Sequence, residues 1–296
     1  MLTLNKHPIV LCATSFIRSM YEDADLYSQY SLDHQNEAKR MLHKYGHHLT
    51  WDKLGETVLD IGCGSGDVTN NIIKPFLSPT FKALVGVDIS EKMVQYARKK
   101  WPLDPRVHFH TLDISKPSKI TALPLTLQQY DKIFSFFCLQ WVSDRRAAAK
   151  SIHRLLKPGG QAFLLLVVNS GIYLVWDTIA KSKKWKKYFK GVVLLPMNEY
   201  VYMNAPDEVF CKSVRSVGLI IKECIIEVRK NVFTTSTHTD EEMTDRLRTV
   251  DPLITYIPEH LKDDYMREVL DLTKKIVSPK GATDYSALIV VLKKQI

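Results

Sequence analysis

The stretch VLDIGCGSGD, residues 58–67, sets three glycines at alternate positions, Gly62, Gly64 and Gly66, with Asp60 just ahead of them and Asp67 just behind. Glycines that directly follow an apolar run let the backbone turn sharply and come close to a ligand. The spacing is G-x-G-x-G, not the G-x-G-x-x-G of dinucleotide sites, because Asp67 stands where the last glycine would be. The Lys-Ser/Thr of a phosphate-binding loop is also missing. A carboxylate immediately before the turn disfavours a pyrophosphate and suits a cationic ligand. Asp88 ends a second apolar run, ALVGVD, 22 residues beyond Gly66. In nucleotide-binding folds an acid at that place accepts hydrogen bonds from ribose hydroxyls. Asp113 closes a third run, where a carboxylate could accept from the exocyclic amine of a base. Each Asp taken alone reads as a helix cap or turn residue. Together, in register with the glycines, they define one crevice that reads amine, ribose and base in order.

The elements that must position these residues alternate. ETVLDIG, ALVGVDI, RVHFHTLDI, DKIFSFF and QAFLLLVV read as strands, the last two apolar almost throughout, as expected where both faces of a sheet are covered. Between them GDVTNNIIKPF, SEKMVQYARKKW and RRAAAKSIHRLL read as helices, with Ser90 capping the second and LKPGG closing the third. Ahead of them, residues 33–50 carry Ala38, Met41 and Leu42 at helical spacing. This alternation predicts an α/β fold with a mostly parallel sheet and helices on both faces. Beyond residue 168 the pattern changes to helical insertions after the fifth and sixth strands, with CIIEVRKNVF and SALIVVLKK returning to strand.

Composition narrows the class. The 296 residues are 45% hydrophobic and 25% charged, an ordinary globular balance, with no apolar run of the ~18–20 residues that would span a bilayer. The formal charge of +9 is compatible with an anionic ligand or surface, but no nucleic-acid motif accompanies it. The five cysteines are scattered, without C-x-x-C or Cys/His metal spacing, which predicts reduced thiols in a cytoplasmic protein and no metal site. Residues 1–21 contain no acid, and read either as a weak targeting segment or as an extension ahead of Met20. The expected organisation is one domain: an N-terminal extension over 1–23, a cofactor core with a cap helix over 24–168, and cap insertions with the final strands over 169–296. The sequence leaves the oligomeric state open.

The glycine loop, its three acids and LLKPGGQAFLLL resemble class I S-adenosylmethionine-dependent methyltransferases. The resemblance implies S-adenosylmethionine as cofactor, with Tyr27, Asp60, Gly62, Gly64, Gly66, Asp88, Ile89, Met93, Asp113, Ile114 and Ser135 around it. In such enzymes the methyl is already activated, and the protein chiefly aligns donor and acceptor. A carboxylate acceptor is ionised at pH 7 and needs no base, so its site should show hydrogen-bond donors near the methyl. The stretch FSFFCLQWVSD, at the end of the fourth strand, offers Gln140 and Trp141, both able to donate. Trp141 packed under the next helix is the bland alternative.

Further segments are similar to insect juvenile hormone acid O-methyltransferases: ADLY at 24–27, LVGVDIS and the residues after it at 84–97, IYLVWDTIAKSKKW at 172–185 and DPLITYIPEHLKDDYM at 251–266. That resemblance, from about residue 24 onward, implies a seven-stranded sheet with helical caps. It also implies methyl transfer to the carboxylate of farnesoic acid or juvenile hormone acid, with Tyr173, Val175, Trp176, Phe189, Leu194, Val250, Leu253 and Ile254 lining an apolar tunnel. Two departures stand out. The family's acid-binding Gln aligns with His34, with Gln35 next to it, and the family's His before Trp is Gln140. An exchange of donors, His34 with Gln140, would recreate the pair; a paralogue for another apolar acid, or one that binds the cofactor without catalysis, are the alternatives. A dicarboxylate acceptor would call for a buried Arg or Lys in the pocket, and no such residue stands out. The lysines of AKSKKWKKYFK read as a solvated face, at most in loose contact with a membrane surface.

Overall fold

The computed structural model describes residues 23–52, 55–120, 129–190, 205–234, 239–277 and 282–296, without the side chains of 231–234, 282 and 283. The N-terminal extension and Leu194 therefore lie outside the described residues. Seven strands, β1 (Thr57–Ile61), β2 (Ala83–Asp88), β3 (Val107–Thr111), β4 (Tyr130–Phe136), β5 (Leu156–Ser170), β6 (Leu219–Thr234) and β7 (Ala282–Lys294), form one sheet in the order β3-β2-β1-β4-β5-β7-β6. Neighbours from β3 to β5 are parallel, and only β7 runs antiparallel to both strands beside it. The strand order reverses between β1 and β4, and in open α/β sheets ligands bind outside the carboxyl ends of the strands at such a point.

Ten helices complete the fold: α1 (Ala24–Gln29), α2 (Leu32–Tyr45), α3 (67–76), α4 (Glu91–Lys100), α5 (Pro117–Ile120), α6 (Arg145–Leu155), α7 (Gly171–Lys181), α8 (Pro206–Arg215), α9 (Asp240–Val250) and α10 (Lys262–Ile276), counted among the described residues. The strand alternation explains the layers. Phe134, Phe136, Phe163 and Leu165 face α2 and α4, while Ile133, Leu164 and Leu166 face α6 and α8. A third cluster, built from Trp141, Trp176, Trp185, Leu247 and Tyr265, joins α7, α9 and α10 into a cap over the carboxyl edge.

Three sequence readings shift. LKPGG opens β5 instead of closing α6, because Leu156 already pairs with Tyr130 across a bulge. The helix after β5 stops at Lys181, short of the lysine run. The helix read over 33–50 ends at Tyr45. The cap of α4 is as expected: Ser90 Oγ accepts from the Met93 N–H at 3.4 Å.

The N-terminal helices are tied to the far end of the sheet by charge. Glu37 on α2 accepts from Arg229 Nη2 and Nε, at 2.7 and 3.0 Å, and from the Tyr285 hydroxyl at 2.8 Å. Glu227 accepts from Arg40, from Lys44 at 2.8 Å and from Tyr45 at 2.5 Å. Such a network holds only while each charge keeps its partners, because an unpaired buried charge is costly.

Candidate functional site

Two cavities meet at the carboxyl edge. The first, of about 210 Å³, lies over the ends of β1, β2 and the segment after β3. Its floor is made by the glycine loop. The Gly62 and Cys63 N–H groups donate to Val87 O at 2.7 and 3.0 Å, stitching the loop to the end of β2. Gly62 has φ +78°, and a Cβ there would stand 2.3 Å from Cys138 Cβ, so only glycine fits. Gly64, with φ +52°, presents its bare backbone to the cavity under the Tyr27 ring. Gly66 lies behind, against Trp101 and Phe109, and reaches no cavity wall.

Asp88 organises this crevice. Its carboxylate accepts from Gly64 N–H at 3.0 Å and Ser90 N–H at 2.8 Å, which fixes the loop relative to β2. Burial raises its pKa against the pull of those backbone donors. Asp113 takes the Ser115 N–H and hydroxyl on one oxygen, at 3.0 and 2.6 Å; its other oxygen receives no hydrogen bond from the described residues. Ile89, Ile114 and Tyr27 share the wall. Asp60 is placed elsewhere. It is buried, accepts from Thr69 Oγ1 at 2.5 Å and borders a small adjoining recess with Gly62, Tyr27 and His34. Burial pushes its carboxyl up to about 7, with the Asp88 charge adding to the shift against the Thr69 hydrogen bond. The helix that follows, α3, is π-wound over Thr69–Ile73, which begins with this Asp60 partner.

Met93 and Ser135 fall short of the crevice. Met93 is fully buried in the core, and Ser135 spends its hydroxyl on Ile61 O at 2.9 Å, bracing β4 against β1. Asp67, noted in the sequence only as the residue in place of a glycine, holds the N-terminal cap. It accepts from Ser28 at 2.7 Å, Ser65 at 2.6 Å and Lys100 at 2.7 Å, linking α1, the glycine loop and α4.

The second cavity, of about 190 Å³, is largely apolar and opens between the β4 turn, α7, α9 and the α1–α2 junction. Trp141 and Phe137 line both cavities. Phe137 was not singled out in the sequence. It has φ +54°, the one left-handed non-glycine residue among those described, a conformation that costs about 1–2 kcal/mol for an L-residue. Two hydrogen bonds hold it: its N–H donates to Leu165 O at 2.9 Å, and its carbonyl accepts from Gln140 Nε2 at 3.0 Å. Gln140 thus gives a donor to the turn itself, and its Oε1 is buried with no hydrogen-bond partner among the described residues. Gln140 also lines the second cavity, with this one donor spent on the turn.

His34 lies between the rings of Tyr27, 6.1 Å away, and Phe137, 4.9 Å away, on the wall of both the second cavity and the recess. Burial lowers its pKa, against the Asp33 charge and together with that of Arg246, so the imidazole is neutral at pH 7. Gln35 points away from the cavity: it donates to Ser31 Oγ at 2.8 Å and accepts from Asn71 at 2.9 Å. Of the residues expected in the tunnel, Tyr173, Trp176 and Val250 line it. Val175 on α7, and Phe189, Leu253 and Ile254 in the turns after α7 and α9, sit in the cap core behind it. Met243, Arg246 and Leu247 of the distant α9 were missed, and Arg246 overturns the expectation that the pocket holds no Arg or Lys. No motif surrounds Arg246, and only the folding of α9 over the β4 turn brings it there.

The sheet order and the crevice over β1, β2 and β3 define a class I methyltransferase, and its cofactor is S-adenosylmethionine. The residues present fit that group: bare glycine backbone, a carboxylate at the end of β2, apolar Ile89 and Ile114, and an Asp113 oxygen open to an amine. A methyltransferase-domain family model matches residues 58–160. Over 254 residues, 84% of this chain and 82% of that protein, it is 30% identical to the juvenile hormone acid O-methyltransferase of Drosophila melanogaster. The Bombyx mori protein of the same name is also 30% identical, over 86% of this chain and 87% of its own. The chain belongs to the juvenile hormone acid O-methyltransferase family. Among solved structures, a Haemonchus contortus phosphoethanolamine N-methyltransferase complex with S-adenosylhomocysteine aligns with TM-score 0.54 and 19% identity over 98% of this chain, which spans 62% of that one. The [4+2]-cyclase SpnF aligns with TM-score 0.52 and 18% identity over 96% of this chain and 93% of its own. Both likenesses concern the fold. No helix among the described residues is long and apolar enough to cross a membrane, and no cluster of three or more potential metal ligands occurs among them.

Proposed function

We propose that this protein methylates the carboxylate of an apolar, sesquiterpenoid-type acid such as farnesoic acid or juvenile hormone acid. The observation that carries this reading is the shared wall: Phe137 and Trp141 face both the crevice and the apolar cavity. A methyl bound in one is thereby next to an acceptor bound in the other. The activity for which the Drosophila and Bombyx relatives are named supports the acid as acceptor.

When bound, S-adenosylmethionine supplies a methyl already activated on a sulfonium. The chain's own residues then have four tasks. Asp88 receives the ribose hydroxyls, Asp113 receives the base amine, and Asp60 faces the ammonium end through the small recess. Tyr27 closes over Gly64 and excludes water. Trp141 and neutral His34 direct N–H groups at the carboxylate, holding one oxygen in line. Tyr173, Trp176, Leu247 and Val250 enclose the apolar chain, whose burial contributes about 25 cal/mol per Å². No proton needs to move, because the nucleophile is an anion at neutral pH.

The test is ester formation from S-adenosylmethionine with farnesoic acid, juvenile hormone acid, a saturated fatty acid, benzoate and a dicarboxylate. Selective methyl farnesoate or juvenile hormone supports the reading. Cofactor binding without ester from any acid overturns it.

A further inference from the structure

An acid entering the second cavity leaves water with its charge, and an uncompensated buried carboxylate costs several kcal/mol. Trp141 and His34 are neutral donors. Among the described residues, Arg246 is the one cation on that cavity's wall. Its guanidinium pairs with Asp33 through Nη1, and its charge reaches His34. It also lies over the Tyr30 ring, 5.3 Å from the centroid. Its Nε is buried and has no hydrogen-bond partner among the described residues. A guanidinium offers donors in a planar fork that fits a carboxylate at two points. Here one point is taken by Asp33, and the buried Nε donor is unspent among the described residues.

We infer that Arg246 is the charge anchor of the acceptor pocket, receiving the acid's carboxylate on its Nε edge, while Asp33, paired through Nη1, competes with the acid for the guanidinium. This rests on the carboxylate reading above and deepens it. It gives the pocket a preference for an ionised apolar acid over its neutral ester, so the product is released once its charge is gone. Lysine would keep the charge and lose the fork, and so would serve poorly.

The two roles open to Arg246 predict opposite patterns. If the Arg246–Asp33 pair is only a brace between α9 and α2, then Arg246→Gln and Asp33→Asn weaken acid binding alike. If Arg246 is the anchor, Arg246→Gln weakens farnesoate binding at least 30-fold, Arg246→Lys about 10-fold, and Asp33→Asn leaves it unchanged or tightens it. Methyl farnesoate binding changes less than threefold in all three. Binding is read by tryptophan fluorescence on the S-adenosylhomocysteine complex, so no turnover is needed, with melting temperature recorded for each variant. Equal losses for Arg246→Gln and Asp33→Asn, or equal losses for acid and ester in Arg246→Gln, overturn the proposal. Absence of ester from every acid with the unmodified protein would count against the carboxyl reading alone, since farnesoate affinity still reports on Arg246.

Discussion

Replacing Gln140 with Leu should separate stability from turnover. Leu is close to Gln in volume and removes both ends of the amide. One end is the donor to Phe137 O, part-buried and 3.0 Å away; losing it costs about 1 kcal/mol, because the exposed side of that carbonyl can still find water. The other is Oε1, buried without a partner among the described residues; removing it relieves a desolvation penalty of about 1–3 kcal/mol. The balance runs from neutral to about 2 kcal/mol in favour of the variant, so Tm should be unchanged or raised by a few degrees. Turnover should behave differently. Without the clamp, Phe137 is free to leave its left-handed conformation and recover about 1–2 kcal/mol of backbone strain. Its ring forms part of the wall between the two cavities, and a misplacement of about 1 Å at a reacting centre lowers rates by about 10²-fold. We expect kcat to fall by about 10–100-fold with the cofactor Kd unchanged. The assay pairs calorimetric melting with steady-state methyl transfer. A loss of more than about 2 kcal/mol in stability with kcat preserved would refute the reasoning, since the amide would then be a packing element and Phe137 indifferent to it.

Asp88→Ala should weaken S-adenosylmethionine binding by at least about 30-fold, through loss of two charged hydrogen bonds that order the glycine loop and those to the ribose, while Trp141→Ala should lower kcat with little change in cofactor Kd; equal losses of cofactor affinity by calorimetry would reject this division. The Asp60 carboxyl, raised to about 7 by burial, must be ionised to face an ammonium, so cofactor affinity should rise with pH through 7 and then level, about tenfold between pH 6 and 8. Titration calorimetry should show that slope vanish in Asp60→Asn. Burial alone would raise Glu227, but hydrogen bonds from Lys44, Tyr45 and Arg40 bring it down to about 2, and Arg229 and Tyr285 lower Glu37. These depressed carboxyls stabilise the fold above about pH 4.5, and that contribution is lost as pH falls toward 2. Urea unfolding at pH 6 and pH 3 should show the loss, and Glu227→Gln should lose less over the same interval, with Glu37 still contributing.

What the sequence made legible was local. The glycine loop, Asp88, Asp113 and the alternation of apolar runs each lie within one strand–turn–helix unit, where spacing alone places the side chains. Met93 misled because its strand-end neighbourhood is right while its helix face turns into the core. Gln140 was placed on the cavity wall by its position at the end of β4, but a residue type able to donate does not reveal that Phe137 O, three residues away, takes one of its protons. Phe137 itself left no trace, since nothing in a run of aromatics signals one positive φ. Arg246 was unreadable because its neighbours Asp33 and Tyr30 are more than 200 residues earlier.

The antiparallel strand β7 sets an order of events during synthesis. It is the last strand in the chain and yet lies between β5 and β6, so β6 emerges from the ribosome with no neighbour to pair with. Until β7 threads into the gap, the growing polypeptide carries two long unpaired edges. Tyr285 cannot reach Glu37, 248 residues away, and the wall of the acceptor cavity that Tyr285 supplies is missing. The cofactor half, β1 to β4, can assemble from contacts close in sequence while the acceptor half waits for the final segment. Such late, long-range closure is slow and leaves nascent chains open to aggregation, and truncation before residue 282 should leave the acceptor half unassembled.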